Sequence, residues 1–80
     1  MSAKSKTVYS DEFEEWAFTV NKVKVYNYKN GFYCFVKIGK GIFALNGSDG
    51  SAYKIPNYSA SKHLKPRKYQ TELLSIAQKL

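Results

Sequence analysis

The sequence predicts an α+β domain with a short N-terminal helix, an antiparallel meander of three or four strands and a C-terminal helix. Three observations carry that expectation. Asn30-Gly31 separates two segments that alternate with a period of two, apolar residues recur at helical spacing from Tyr69 to Leu80, and Ser10 leads a run of carboxylates with spaced apolar residues behind it.

Ser10 suits an N-cap, and Asp11, Glu12, Glu14 and Glu15 stand where a helix dipole favours negative charge. Phe13, Trp16, Ala17 and Val20 fall at i, i+3, i+4 and i+7, which predicts a helix over residues 11–20. The competing reading takes Trp16, Phe18 and Val20 as the alternating face of a strand. Residues 1–9, polar and without an apolar pattern, are expected to be flexible.

A type I′ hairpin turn needs two residues that tolerate positive φ, and Asn-Gly supplies them. With Asn30 and Gly31 as the loop, Tyr28 faces Tyr33, Asn27 faces Cys34, Tyr26 faces Phe35, Val25 faces Val36, Lys24 faces Lys37 and Val23 faces Ile38. Opposed residues share a face. One face is then aliphatic, with Val23, Val25, Asn27, Cys34, Val36 and Ile38; the other carries Lys24, Tyr26, Tyr28, Tyr33, Phe35 and Lys37.

Gly39-Lys40-Gly41 reads as a three-residue loop, which would set Ile42 against Ile38 and Ala44 against Val36, with Phe43 and Leu45 on the aromatic face. Asn46-Gly47 and Asp49-Gly50 mark another loop, and Ser51-Ala52-Tyr53-Lys54-Ile55 is a candidate fourth strand stopped by Pro56. Residues 57–65 read as loop. Pro66 can open a helix because its missing N–H would have no intrahelical partner, and Tyr69, Leu73, Ile76, Ala77 and Leu80 keep helical spacing over residues 67–79.

At 80 residues, with 44% hydrophobic and 24% charged side chains, the chain has room for one small core, so residues 1–80 are expected to form a single basic domain. Cys34 is the only cysteine, which excludes an internal disulfide and a cysteine-based zinc cluster. There is no secretory apolar stretch and no run near the roughly 20 residues of a membrane span, so a cytoplasmic protein with no membrane partner is expected. The net charge of +7 is uneven. Residues 1–16 carry two basic and four acidic groups, and residues 17–80 carry eleven basic and two acidic ones.

Two features point to a ligand. Tyr26, Tyr28, Tyr33 and Phe35 on adjacent strands could stack unpaired bases while Lys24 and Lys37 meet phosphates. Like charges directly opposite weaken a sheet, and an anion between the two lysines would relieve that. The alternative makes this face the second wall of a core, with lysines at its rim. The other feature is Lys62, His63, Lys65, Arg67 and Lys68 around the start of the expected C-terminal helix. Cations are disfavoured there unless an anion sits on the free backbone N–H groups. The alternatives are a solvated basic loop, or one paired with Asp11, Glu12, Glu14 and Glu15.

Catalysis has little support. One His, one Cys on the aliphatic face and carboxylates gathered in one segment supply neither a nucleophile with its base nor a metal site, and no cofactor motif is present. Gly31-Phe32-Tyr33-Cys34-Phe35-Val36 departs by one residue from the RNA-recognition signature and identifies no family. The expected function is a non-enzymatic nucleic-acid-binding module, single strands preferred, using Lys24, Tyr26, Tyr28, Tyr33, Phe35, Lys37, Lys62, Lys65, Arg67 and Lys68. The alternative is a protein-interaction module that docks the aromatic face on an acidic partner.

Overall fold

The computed structural model describes residues 4–28, 33–45 and 55–80. Four antiparallel strands, β1 (Lys4–Tyr9), β2 (Lys22–Tyr28), β3 (Tyr33–Ile38) and β4 (Gly41–Ala44), form one sheet in chain order. One α-helix, α1 (Glu72–Gln78), follows near the C-terminus, and the arrangement is α+β.

The β2–β3 register is the one that Asn30-Gly31 implies. Tyr28 pairs with Tyr33, Asn27 with Cys34, Tyr26 with Phe35, Val25 with Val36 and Lys24 with Lys37, although the turn itself lies outside the described residues. The aliphatic face is buried throughout, and α1 packs against it with Leu73 and Ala77 fully buried and Ile76 and Leu80 partly so. Asn27 is the polar residue in this layer. Its amide donates to the Ala77 carbonyl at 2.8 Å, an acceptor near the helix end where intrahelical partners run out. A buried amide needs such a partner, so this bond fixes the helix against β2.

Three expectations need correction. The first concerns β4, where Ile38 pairs with Gly41, Lys37 with Ile42, Val36 with Phe43 and Phe35 with Ala44. Gly39, at φ 60°, takes the first position of a two-residue loop, as a type II′ turn requires, and the loop is one residue shorter than expected. A one-residue change exchanges the faces. Phe43 and Leu45 therefore join the core side, whereas Ile42 points outward at 45% exposure. The Phe43 ring also lies over Gly41, where an added Cβ would come within 2.8 Å of it.

The second correction is at the N-terminus, where no helix spans residues 11–20. Lys4–Tyr9, in the segment expected to be flexible, pairs along β2 with Val8 opposite Val23 and Tyr9 opposite Lys22. A single 3-10 turn, Ser10–Glu12, follows, and the Ser10 N–H donates to the Asn21 carbonyl at 2.9 Å, closing the loop between β1 and β2 at its base. Inside it the Trp16 indole N–H donates to the Val20 carbonyl at 2.6 Å. Phe18 pairs in an isolated antiparallel bridge with Leu64, flanked by Thr19 N–H to His63 carbonyl and Lys65 N–H to Ala17 carbonyl, both 2.7 Å. A ten-residue helix is marginal alone, and here its backbone groups have distant partners instead. The strand of the competing reading does not form either beyond the single bridge at Phe18, which is buried against Trp16 and Tyr58.

Third, α1 begins at Glu72 rather than 67. Pro66 is used in a turn closed by the Lys68 N–H on the Lys65 carbonyl at 3.2 Å, and Arg67 there has φ 60°, the left-handed conformation of the third turn residue. Tyr69 consequently precedes the helix and is 62% exposed, while Leu73, Ile76, Ala77 and Leu80 keep the expected face. The described sheet is completed by β1 on the far side of β2. The candidate strand at 51–55 lies outside the described residues except for Ile55, which is not in a strand. Past β4 the chain returns beside it, with the Ala44 N–H donating to the Pro56 carbonyl at 2.8 Å.

Candidate nucleic-acid interface

The sheet surface opposite α1 is built by alternation alone. Residues paired across strands share a face, so it carries Ser5, Thr7 and Tyr9 from β1, Lys22, Lys24, Tyr26 and Tyr28 from β2, Tyr33, Phe35 and Lys37 from β3, and Ile42 and Ala44 from β4. These fall into rows. Tyr28 and Tyr33, with ring centroids 6.3 Å apart, stand at one end, and Tyr26 and Phe35 come next; all four are half-buried. Then comes a row of Thr7, Lys24, Lys37 and Ile42, and finally Tyr9 beside Lys22.

Lys22, Lys24 and Lys37 are exposed, and Lys24 and Lys37 are directly opposed. The Lys24 ammonium stands 5.7 Å from the Tyr26 ring centroid, within reach of the negative face of the ring. These lysines line an open groove with Thr7, Tyr9, Val20, Asn21, Val23 and Gly39. Tyr9, at 47% exposure, is the most accessible ring of this face among the described residues.

The second basic group is divided by the fold. Lys62 and His63 border a groove with Lys40 and Phe43 that shares Val20 and Gly39 with the first, so they extend the lysine end of the sheet. His63 lies close against the β3–β4 turn, since a Cβ on Gly39 would be 3.1 Å from its Nε2, and its Nδ1 is 3.3 Å from Thr19 Oγ1. Lys65 and Lys68 line a different cleft with Glu14, Glu15, Trp16 and Tyr69. Arg67 is exposed in its own turn. The expected basic helix N-terminus is therefore absent, because Lys62, Lys65, Arg67 and Lys68 all precede a seven-residue helix that starts at Glu72. Lys65 and Lys68 share this cleft with Glu14 and Glu15, two of the four carboxylates that the paired alternative named, while Asp11 and Glu12 stay in the turn after β1.

Tyr58 is a titratable group perturbed by the fold. Burial raises its pKa, more than a hydrogen bond from the Gln70 backbone lowers it, with Tyr69 and Glu72 nearby adding to the rise. It sits in the core and belongs to neither groove.

Sequence reasoning missed Tyr9, Thr7 and Lys22. Lys22 was legible, since the β2 alternation extended by one step puts it beside Lys24. Tyr9 depended on recognising β1, whose polar residues give no period-two signal of apolar residues. Comparison with protein-family models, curated proteins and solved structures gave no match.

Proposed function

We propose that this chain is a small non-enzymatic module that binds single-stranded nucleic acid on the sheet face opposite α1. The observation that carries the reading is the Lys24–Lys37 pair. Two exposed lysines are directly opposed in the β2–β3 register beside a row of aromatic rings, a like-charge pairing that weakens a sheet and that suits one phosphate with bases on either side. Lys22, Lys40 and Lys62 reinforce it from the same end of the molecule. Lys65, Arg67 and Lys68 contribute less, because Glu14 and Glu15 share the cleft of the two lysines. Duplex is a poor ligand for this face, since stacking needs unpaired bases.

Salt dependence of binding to a labelled oligonucleotide tests it. For single strands, log K falls with log salt by about 0.7 per phosphate neutralised, so removing the one phosphate site with Lys24→Gln and Lys37→Gln together should flatten the slope by about 0.7. Tyr33→Leu should weaken binding while leaving the melt unchanged, and short oligonucleotides should quench tyrosine fluorescence in the parent. No quenching at low salt, or a slope indifferent to both lysines, would sink the reading and favour an acidic protein as partner.

A further inference from the structure

We infer that Tyr9 is a second stacking position, on the far side of the lysine row from the aromatic rows, so that a bound single strand runs along the β-strand direction with a phosphate over Lys24 and Lys37. This deepens the proposed function and rests on it. The geometry is set by the β1 register, which places Tyr9 opposite Lys22 and Thr7 opposite Lys24. Same-face residues along a strand recur at roughly 6.6 Å, so the Tyr9–Lys22 row lies about 13 Å from the Tyr26–Phe35 row with the Lys24–Lys37 row between them. The order along the face is ring, cation, ring, which is the order of base, phosphate, base in one strand.

Exposure agrees. A ring that stacks a ligand must present itself to solvent, and Tyr9 does so at 47% beside three exposed lysines, Thr7 and Asn21 in one groove. Single exposed apolar residues are ordinary on protein surfaces, but this one borders a groove lined by Lys22, Lys24 and Lys37. Along β1 the charge changes sign after Tyr9. Asp11 and Glu12 occupy the turn immediately after Tyr9, both exposed, so an anionic backbone is repelled beyond it and Tyr9 is suited to a terminal base.

The test uses the full chain with fluorescein-labelled oligothymidylates of about 4 to about 16 nucleotides, the range of site sizes of small single-strand binders, read by anisotropy at low salt. Tyr9→Leu should bind the longest oligonucleotide about five- to 150-fold more weakly, the range of one base–ring stack, and Tyr9→Phe should bind as the parent does. The loss should shrink with the shortest oligonucleotide, which can occupy the aromatic rows alone. Lys22→Gln, a conservative exposed change, should flatten the salt slope by about 0.7 and keeps the test decisive if Tyr9→Leu lowers the melting temperature. Tyr9→Leu equal to the parent at every length, with Tyr33→Leu weakened, overturns the Tyr9 position and leaves the proposed function intact. A parent that binds no oligonucleotide overturns both.

Discussion

The side-chain carbonyl of Gln70 accepts the backbone N–H of Ala17 at 2.8 Å across 53 positions of sequence, and its amide donates to the Glu15 carbonyl at 3.2 Å. Gln70 thus satisfies two backbone groups of the β1–β2 loop with one side chain, while its backbone carbonyl accepts the Leu73 N–H at 3.1 Å. Ala17 and Gln70 are both buried, so water cannot replace these bonds.

Gln70→Met keeps the volume and removes both bonds. It should cost about 1–3 kcal/mol for the stranded Ala17 N–H, lowering Tm by roughly 4–8 °C per kcal/mol in a domain of this size. A circular-dichroism melt measures it. An unchanged Tm would mean that the loop does not depend on Gln70.

Two turn positions should respond oppositely to substitution. Gly39→Ala puts a Cβ at positive φ and 3.1 Å from His63 Nε2, which should destabilise by about 1–2 kcal/mol. Arg67→Gly releases the strain of φ 60° in a residue with a Cβ and should stabilise by up to about 1 kcal/mol. Urea midpoints of both variants give the comparison, and a destabilised Arg67→Gly would indicate native contacts of the arginine stem.

The β4 register can be tested with adjacent residues. Ile42→Ser lies on the exposed side opposite Lys37 and should stay within about 0.5 kcal/mol of the parent. Phe43→Ser removes a ring packed on the core beside Val36 and should cost about 2 kcal/mol or more. A three-residue loop would reverse the two results in a denaturant titration.

Tyr58 should make stability depend on alkaline pH. Its pKa is raised in the folded state, so the phenol's contribution is fully present below its unfolded value near 10 and is lost as pH rises through the folded value. Stability measured from about pH 8 to about pH 11 should fall more steeply for the parent than for Tyr58→Phe, which lacks the ionisation. Parallel curves would show that the phenol is not held neutral by burial.

By itself the sequence determined the β2–β3 hairpin, its register and the sorting of its faces, because Asn30-Gly31 and strict alternation act over a few residues and leave little choice. It also determined the apolar stripe of α1, though not the start of the helix, since Pro66 serves equally as a turn residue and as a first helical residue. Of the site, the same hairpin made Lys24, Lys37 and the four rings between the two strands legible. Tertiary structure decided the rest. Residues 11–20 have local helical spacing, but the Ala17 N–H and carbonyl find the Gln70 side chain and the Lys65 N–H, the Thr19 N–H finds the His63 carbonyl, and a helix would forgo those bonds along with the burial of Phe18. β1 forms because β2 offers it an edge, and with it Tyr9 arrives beside Lys22. The division of the basic cluster follows from the same contacts, which hold Lys62 and His63 near the β3–β4 turn and set Lys65 and Lys68 in one cleft with Glu14 and Glu15. Partners more than forty positions apart leave no periodicity in the sequence, and only the packed chain selects them.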